Sequence, residues 1–371
     1  MSLIADSIPY ENLHQANREF EAAFRDKFNR LLEKGWYILG EELSQFENDF
    51  AAYCGAKFCL GVANGLDALE LGLQVFEFPA KSEILVPSNT YIATVLAIIN
   101  AGHIPVLVEP EISTYNIDPD LIEQHITPNT KAIMPVHLYG QPCAMDRIVD
   151  IAVKHKLEII EDCAQSHGAT FQNKMTGTFG KIGAFSFYPT KNLGALGDGG
   201  AIITSDEEVY NKLKALRNYG SEQKYYNKYI GRNSRLDELQ AAFLNVKLPH
   251  LEKIIAHKQK LADLYDSLLT ENVIRPVRIE NSKHVFHIYN IRTDERDQLK
   301  KYLLETGIHT EIHYPVSPNK QSAYQSWFAH LSCPLSEIIH ATTLSLPISF
   351  ATSEEDVKKI SETINNYFFN R

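Results

Sequence analysis

The sequence contains few cysteines, and they do not follow the spacing of a metal site. The five cysteines stand at positions 54, 59, 143, 163 and 333, and no two of them form a Cys-x-x-Cys motif. An odd number of scattered cysteines argues against a disulfide framework and against a zinc site. We therefore expect free thiols, no metal centre and a reducing, cytoplasmic location.

Long hydrophobic runs and a surplus of positive charge are also missing. No apolar stretch approaches the roughly 20 residues that a membrane-spanning helix needs. Residues 1–10 show neither a basic start nor an apolar core, so we expect no signal peptide. The chain has 36 Lys and Arg residues against 46 Asp and Glu residues, a formal net charge of -10. That balance argues against nucleic acid and against membranes as binding partners.

What the sequence does contain is an alternation of short apolar strands with helices. An amphipathic helix is predicted over residues 12–35, and further helices over 67–76, 92–101 and 144–156. Strands are predicted at residues 58–64, 83–88, 104–110, 131–140, 158–162, 183–188 and 199–205. Nearly all-apolar strands separated by helices indicate a mostly parallel, seven-stranded α/β sheet with helices on both faces.

The pattern changes after about residue 236. A long helical stretch is predicted over residues 236–269, with a break near Pro249, followed by short strands within 284–293 and a charged helix over 295–306. A loop rich in Pro, Ser, His and Tyr covers 313–327, and a last helix begins at Ser353. With 371 residues the chain can form one large and one smaller domain. We expect an N-terminal helix and a large domain in residues 1–245 and a small α+β domain in 246–371.

A glycine-rich segment, residues 194–200, suggests a dinucleotide-binding loop at first sight. Its glycines, however, precede a predicted strand, whereas the dinucleotide motif follows a strand and opens a helix. The sequence has neither Gly-x-Gly-x-x-Gly nor a P-loop motif. A nicotinamide enzyme or a P-loop nucleotidase is therefore not expected.

Two predicted strand ends carry groups suited to ligand binding, because open α/β sheets bind ligands beyond the carboxyl ends of their strands. Gly65 joins a strand to a helix whose free N–H groups could bind an anion, although an ordinary turn explains the same residues. Glu161 and Asp162 end another strand. Adjacent side chains of a strand point to opposite faces, so we expect only one of the two acids to serve a given site.

A third strand end carries a lysine. The strand at 183–188 delivers Ser186 and Tyr188, and Lys191 follows just before an uncharged run at 192–197. Most lysines are solvated surface residues. A partly buried lysine, by contrast, has a lowered pKa and can act as a nucleophile that forms a Schiff base.

Taken together, these segments resemble the DegT/StrS-type sugar aminotransferases, a branch of the fold-type I enzymes that use pyridoxal phosphate (PLP). The resemblance spans nearly the whole chain. It rests on GWYILGEELSQFE (35–47), NGLDAL (64–69), EDCAQSHGA (161–169), SFYPTKNLGALGDGG (186–200) and RNYGS with GRNSRLDELQAA (217–242).

The resemblance implies a role for individual residues. Lys191 would bind PLP as a Schiff base and later move a proton, and Asp162 would pair with the ring nitrogen, which makes the ring an electron sink. Gln165 would bind the phenolic oxygen, and Tyr91 would stack on the ring unless it is an ordinary core aromatic. The phosphate would be held by backbone N–H groups and one hydroxyl, from Gly65, Leu66 and Ser186. The family often has threonine where Leu66 stands, so at this position only the backbone contact is implied.

Two further implications concern the partner subunit and the substrate. Asn233 would reach the phosphate of the neighbouring subunit and make the protein a homodimer with composite active sites, although a turn before the long helix also favours asparagine. The substrate candidates are His313, Tyr314, Tyr188 and Lys320. Arg232 of either subunit is a further candidate for the pyrophosphate. A structural turn and a solvated surface are the alternatives for these residues.

The implied reaction takes an amino group from glutamate to a nucleotide-linked keto sugar. The loop HYPVSPNKQSAYQ (313–325) is similar to the branch that acts at carbon 3, so we expect a dTDP-3-keto-6-deoxyhexose and a dTDP-3-amino-3,6-dideoxyhexose product. Such sugars serve surface polysaccharides, including lipopolysaccharide, or antibiotics. The alternatives are a 4-keto sugar aminotransferase, a sugar dehydratase and a catalytically silent scaffold or regulatory protein. The dehydratases of the family replace the lysine with histidine, so Lys191 argues against that activity. The joint presence of Lys191, Asp162, Gln165 and Ser186 argues against the scaffold.

Overall fold

A seven-stranded sheet forms the centre of the molecule. The computed structural model describes residues 7–223 and 225–369. Its strands are Phe58–Val62 (β1), Glu83–Pro87 (β2), Ile104–Val108 (β3), Thr130–Ile133 (β4), Glu158–Asp162 (β5), Ile182–Ser186 (β6) and Gly200–Thr204 (β7). Their spatial order is β1-β7-β6-β5-β4-β2-β3. Strand β7 is antiparallel to both of its neighbours, and the other pairs are parallel, so the predicted mostly parallel sheet is confirmed.

The reversed direction of β7 brings three chain segments together at one edge of the sheet. Gly200, the first residue of β7, pairs with Val62 at the end of β1 and with Ser186 at the end of β6. The turn after β1 and the end of β6 are therefore neighbours, although they lie far apart in the sequence.

Helices cover both faces of the sheet, and further helices belong to the C-terminal part of the chain. The longer ones are Glu21–Lys34, Glu41–Cys54, Gly65–Gln74, Ile92–Asn100, Met145–His155, Glu207–Leu216, Glu238–Lys247, Leu251–Leu268, Arg296–Glu305, Pro334–Thr342 and Glu354–Phe369. The shorter helices are Leu13–Asn17, Pro119–Ile122 and Gln325–Phe328.

Successive residues of β7 show how the two faces are filled. Ile202 belongs to the hydrophobic cluster that contains Leu69 of helix Gly65–Gln74. Its neighbours Ala201 and Ile203 belong to a second cluster, with Phe46 of helix Glu41–Cys54. Because side chains alternate along a strand, one apolar run packs against helices on both sides.

The C-terminal part of the chain has a core of its own. Strands Tyr289–Arg292 (β8) and Thr343–Leu346 (β9) form an antiparallel pair. The surrounding cluster includes Leu261, Leu299 and Ile360, and it also includes Ile8. Residue 8 thus packs with the C-terminal part, and the predicted boundary at residue 245 falls inside helix Glu238–Lys247. The two-domain division stays a prediction.

Some element boundaries differ from those expected. The predicted helix at 12–35 is interrupted by a 3-10 turn, Arg18–Phe20. The predicted strand at 131–140 ends at Ile133, because Pro135 has no N–H to donate and Tyr139 adopts a positive φ of 59°. The break near Pro249 is confirmed by the 3-10 turn Leu248–His250. Within the described part of the chain, no helix combines the length and the apolar character that crossing a membrane requires.

Candidate active site

The two adjacent acids at the end of β5 have different partners, as their positions in the strand predict. The Glu161 carboxylate accepts N–H groups from Gly177, Phe179 and Gly180, each at 2.7 Å. It therefore fixes a loop of the protein itself. Asp162 accepts none of these N–H groups, so its carboxylate is available to bind a ligand.

Asp162 is buried beside the start of helix Ile92–Asn100. Its Oδ2 accepts the Thr94 hydroxyl at 2.8 Å, and its Oδ1 accepts the N–H of Ala164 at 3.1 Å. Burial raises the pKa of the Asp162 carboxyl, while these hydrogen bonds and the charge of Lys191 oppose the shift. A buried carboxylate with two neutral donors is stabilised further by a cationic partner, such as a protonated ring nitrogen.

Lys191 lies in the loop that follows β6. The backbone N–H of Lys191 donates a hydrogen bond to the carbonyl of Tyr188 at 2.9 Å, and this bond closes a turn around Pro189. Its Nζ atom lies 3.3 Å from Nε2 of His287. Burial lowers the pKa of Lys191 to about 8, although the Asp162 carboxylate acts in the opposite direction. Roughly a tenth of the amine is therefore neutral at pH 7, several hundred times more than for a lysine of ordinary pKa, and the neutral amine is the nucleophile.

The turn after β1 forms an anion cradle with Ser186. Asn64 caps helix Gly65–Gln74 by accepting the N–H of Asp67 at 2.8 Å. The N–H groups of Gly65 and Leu66 lie in the first turn, where a helix offers them no carbonyl. A Cβ atom on Gly65 would lie 2.7 Å from Cβ of Ser186, so glycine is needed for this close approach. Two backbone donors and one hydroxyl converge at a helix N-terminus, which suits a phosphate.

Gln165 is oriented by two hydrogen bonds. Its Oε1 accepts the N–H of Tyr139 at 2.6 Å, and its Nε2 donates to the hydroxyl of Tyr314 at 3.0 Å. The amide nitrogen carries a second hydrogen, which can be donated to an oxygen atom in the site. The ring of Tyr314 lies 4.9 Å from that of Tyr91, between centroids. An aromatic wall therefore stands beside Gln165.

His313 and Tyr314 belong to a loop that is held from several sides. The hydroxyl of Tyr139 donates to the carbonyl of His313, and the Nδ1 atom of His313 pairs with the Ser345 hydroxyl at 2.9 Å. His340 donates from Nδ1 to the carbonyl of Tyr314 at 2.5 Å. Burial lowers the pKa of His313 to about 4, so its ring is neutral. The structure thus brings Lys191, Asp162, Gln165, Tyr91, His313 and Tyr314 into one connected region.

The remaining sequence candidates lie at the surface. Tyr188 and Asn233 are exposed. Lys320 pairs with Glu337 at 3.2 Å, and Arg232 pairs with Asp67 at 3.2 Å and with Glu70. Their own chain already neutralises both cations, and the contribution of these four residues to a substrate site stays a prediction.

A second cluster of possible ligands, formed by His137, Glu161 and Cys163, is fully committed to the fold. His137 accepts the N–H of Cys143 at Nδ1, at 3.1 Å. Its Nε2 therefore carries the hydrogen and donates it to Glu161 at 3.0 Å. No imidazole lone pair is left for a metal ion, and we assign this cluster a structural role.

The residues of the site fit PLP group by group. The helix N-terminus with Ser186 suits the phosphate, Asp162 suits the ring nitrogen, and the free hydrogen of Gln165 suits the phenolic oxygen. Lys191 offers an amine of lowered pKa for the aldehyde. Sequence reasoning missed three contributors, Thr94, Tyr139 and His287. Of these three, only Thr94 has a local signal in the sequence, a second hydroxyl at Thr90 just before the helix.

Comparison with known proteins agrees with this geometry. The model of the DegT/DnrJ/EryC1/StrS aminotransferase family matches residues 18–365. The dTDP-3-amino-3,6-dideoxy-alpha-D-galactopyranose transaminase of Aneurinibacillus thermoaerophilus is 51% identical over 361 residues, 97% of this chain and 99% of the relative. The crystal structure of S. venezuelae DesV superposes with a TM-score of 0.96 at 40% identity, covering 98% of this chain and 99% of that one. NtdA from Bacillus subtilis, solved with the cofactor PMP bound, has a TM-score of 0.92 at 29% identity, covering 98% and 86%.

The fold and the site together define a PLP-dependent aminotransferase. A mostly parallel sheet presents a lysine, an acid and an anion cradle at one edge, and the structural neighbours share the whole architecture. The chain belongs to the DegT/DnrJ/EryC1/StrS aminotransferase family. It is a sugar aminotransferase, as the family resemblance of its sequence implied.

Proposed function

We propose that this enzyme transfers the amino group of glutamate to carbon 3 of a dTDP-linked 3-keto-6-deoxyhexose. The observation that carries the proposal is that Lys191 and Asp162, whose charges interact, lie in one site with Gln165 and the Tyr91–Tyr314 wall. The choice of sugar is supported by the A. thermoaerophilus relative, which is named for a dTDP-3-amino-3,6-dideoxyhexose. We place the reaction in the cytoplasm, in the synthesis of a surface polysaccharide such as lipopolysaccharide or of an antibiotic sugar.

Each residue of the site has a defined task in this reaction. When bound, PLP supplies an electron sink that makes the carbon bearing the amino group acidic. Lys191 would hold the cofactor, and its neutral amine would move the proton at that carbon. Asp162 would pair with the protonated ring nitrogen. Gly65, Leu66 and Ser186 would hold the phosphate, and Gln165 would donate to the phenolic oxygen.

The sugar is recognised by the loop that contains His313 and Tyr314. The neutral His313 ring can accept or donate at Nε2, because Nδ1 is engaged with Ser345. The Tyr314 hydroxyl already accepts a hydrogen bond from Gln165, which leaves its own hydrogen for the substrate. A few such contacts set which ring carbon reaches the amine, and each is worth roughly 1–3 kcal/mol of discrimination.

A second copy of the chain completes the site. The loop with Asn233 is anchored next to the anion cradle, because the Ser234 hydroxyl accepts the N–H of Ala63 at 3.1 Å. Asn233 itself is exposed. Large apolar side chains are exposed just before this loop, where Tyr226 is 69% and Ile230 is 91% exposed, and in a second segment at Trp36, which is 64% exposed. Exposed apolar groups of this size mark a protein interface, and we propose a homodimer in which Asn233 reaches the partner's phosphate.

The test supplies dTDP-linked 3-keto and 4-keto 6-deoxyhexoses separately, each with glutamate and the purified enzyme. We expect efficient amination of the 3-keto sugar, with the amine located at carbon 3 by NMR and 2-oxoglutarate as co-product. Lys191→Ala is the inactive control. Amination of the 4-keto sugar alone would replace the substrate assignment, and no turnover together with no uptake of PLP would favour a regulatory protein.

A further inference from the structure

Lys258 is a buried lysine whose hydrogen-bond partners, within the described part of the chain, are neutral. It lies on helix Leu251–Leu268 and is 4% exposed. Its side-chain nitrogen donates to Oδ1 of Asn192 at 2.8 Å and to the backbone carbonyl of His287 at 3.1 Å. Lysine is rarely found in such a place, because a buried ammonium group loses its hydration. The position of its two acceptors indicates a function beyond packing.

Both acceptors of Lys258 belong to the surroundings of Lys191. Asn192 directly follows Lys191 in the loop after β6. His287 lies in the C-terminal part of the chain, and its Nε2 atom is 3.3 Å from Nζ of Lys191. One side chain therefore joins the backbone that carries Lys191 to the residue that contacts its amine. We call this arrangement the Lys258 bridge.

The Asn192 end of the bridge is fixed at both atoms of its amide. Oδ1 accepts from Lys258, and Nδ2 donates to the carbonyl of Val285 at 3.0 Å. Asn192 is buried. Its amide has one orientation, because exchanging the oxygen and the nitrogen would set donor against donor and acceptor against acceptor. The loop of Lys191 is thus tied to the segment of His287 by a side chain that cannot turn over.

Neighbouring contacts hold only one side of the bridge each. On the same helix, Gln259 donates to the carbonyl of His284 at 3.0 Å, in the C-terminal part of the chain. In the loop after β6, the carbonyl of Gly194 accepts from Lys247 at 2.8 Å. Of these three donors, Lys258 is the one that contacts both segments.

The charges of Lys258 and Lys191 act on each other. Burial lowers the pKa of Lys258 to about 8, the charge of Glu11 opposes this effect, and the charge of Lys191 adds to it. Because an interaction between two charges is mutual, a protonated Lys258 favours the neutral amine of Lys191 in the apoenzyme. Burial, Lys191 and Lys258 together lower the pKa of His287 well below its usual value, so the imidazole beside the amine stays neutral.

We propose that Lys258 is a positioning residue for transamination, which keeps Lys191 and His287 together by bonding to Asn192 on one side and to the His287 carbonyl on the other. This role rests on the proposed function of Lys191 as the lysine that holds the cofactor. The amine of Lys191 has to reach the cofactor and the proton of the substrate in every turnover. Misplacing a reacting group by about 1 Å can slow a reaction about 100-fold, so a loop tied on both sides has a direct effect on the rate.

The first test uses the apoenzyme and needs neither cofactor nor substrate. Lys258→Met removes the charged group and keeps most of the side-chain volume. Competitive acetylation with acetic anhydride, followed by peptide mass spectrometry, gives the pKa of Lys191. We expect this pKa to rise by about 0.5 unit or more, because a nearby like charge is lost. Gln259→Leu, which removes one hydrogen bond between the same helix and the C-terminal part of the chain, should leave it unchanged.

The second test measures the bridge in the holoenzyme. With glutamate alone, the absorbance of the cofactor gives the single-turnover rate of Lys258→Met, of Asn192→Ala and of the double variant. We expect each single change to slow this step about 10-fold, because the amine is less well placed. Both changes break the same bridge, so the double variant should be no more than about 2-fold slower than either one. Independent losses of packing would multiply to about 100-fold.

Asn192→Ala leaves the buried lysine in place and keeps the test decisive if Lys258→Met does not fold. It should still slow the glutamate step about 10-fold, whereas Gln259→Leu should match wild type. A wild-type rate in Asn192→Ala would overturn the positioning role, and so would independent losses together with an unchanged Lys191 pKa in Lys258→Met. Lys191→Ala separates these results from the proposed function, because turnover in that variant would contradict the role of Lys191 itself and not the bridge alone.

Discussion

Thr94 donates a hydrogen bond from its hydroxyl to Oδ2 of Asp162 over 2.8 Å, and both side chains are buried. Thr94 is itself fixed by Thr90, whose hydroxyl lies 2.8 Å away. The acid that we assign to the ring nitrogen is therefore oriented by the first turn of a neighbouring helix as well as by the Ala164 N–H that follows its own strand.

Replacing Thr94 with valine should weaken cofactor binding. The change keeps the shape of the side chain but removes a donor to a buried carboxylate, a loss of about 1–2 kcal/mol or roughly 5–30-fold in the dissociation constant of PLP. Equilibrium titration followed by absorbance measures this constant. Thr94→Ser keeps the hydroxyl and should stay close to wild type. Asp162→Asn is the stronger change and should slow transamination by several orders of magnitude while PLP still binds.

Replacing Gly65 with alanine should damage the anion cradle. The new Cβ atom would meet Cβ of Ser186 at 2.7 Å and push the backbone donors away from the phosphate. We expect the dissociation constant of PLP to rise about 10-fold or more, as for the loss of a charge-assisted hydrogen bond. Gly72→Ala is the matched control within the same helix, since its Cβ would press on Ile182 at 2.9 Å, away from the helix start. If both variants lose stability but bind PLP alike, the cradle is wrongly assigned.

Glu238 caps a helix that lies far from it in the sequence. Its carboxylate accepts the N–H groups of Gly40, Glu42 and Leu43 at 2.8, 3.0 and 3.0 Å, at the start of helix Glu41–Cys54. Glu238→Ala leaves these donors without a partner and should cost about 1–3 kcal/mol. Thermal unfolding of the apoprotein measures the loss. Asp237→Asn, at an exposed neighbouring position, should unfold like wild type, and an equal loss in both variants would argue against the cap.

The same contact explains why the start of helix Glu41–Cys54 has no local signal in the sequence. Gly40, at its start, has no side chain that could act as a cap, and the capping carboxylate stands 198 positions later. The parallel strands were predictable, because burial on both faces demands continuous apolar runs such as Ile182–Ser186. Strand β4 was predicted too long, since Pro135 has no N–H to donate, and Leu138 and Tyr139 pack in a separate hydrophobic cluster.

The candidate site divides in the same way. Lys191, Asp162 and Gly65 stand at strand ends, where the topology of the sheet forces them together, and the sequence indicated them. His287 lies in the C-terminal part of the chain, and nothing in its local sequence links it to Lys191. Contacts between distant segments depend on how the two parts of the chain pack, which local patterns do not encode.

The buried lysines make the stability of the apoprotein depend on pH. Burial lowers the pKa of both Lys247 and Lys258 to about 8, from a usual value of 10.5. Between these values the unfolded chain binds more protons than the folded chain, so stability rises with pH. We expect a gain of roughly 1–2 kcal/mol per lysine between about pH 8 and about pH 9.5. Urea unfolding across this range measures it.

Lys258→Met should flatten this dependence, because one of the titrating groups is removed. Lys260→Met is the control on the same helix, since the Lys260 side chain is 66% exposed and pairs with Glu354 at the surface. An equally steep pH dependence in Lys258→Met and Lys260→Met would show that Lys258 keeps its ordinary pKa.

If Asn233 serves the neighbouring subunit, two inactive variants should restore activity to each other. The Lys191→Ala and Asn233→Ala variants are mixed in equal amounts, and their subunits are allowed to exchange. Half of the dimers then carry one subunit of each kind. In such a dimer one site has both defects and the other has none. We therefore expect about a quarter of wild-type activity to return. Differently tagged subunits, followed by native mass spectrometry, confirm the exchange.

The decisive control mixes Lys191→Ala with Asp162→Asn. Both residues lie in one site of one chain, where Asp162 acts on the charge of Lys191. Every site of a mixed dimer then contains a defect, and no activity should return. Recovery with Asn233→Ala but not with Asp162→Asn places Asn233 across the interface. Recovery with neither, when exchange is complete, places Asn233 in its own subunit's site and removes the argument for composite sites.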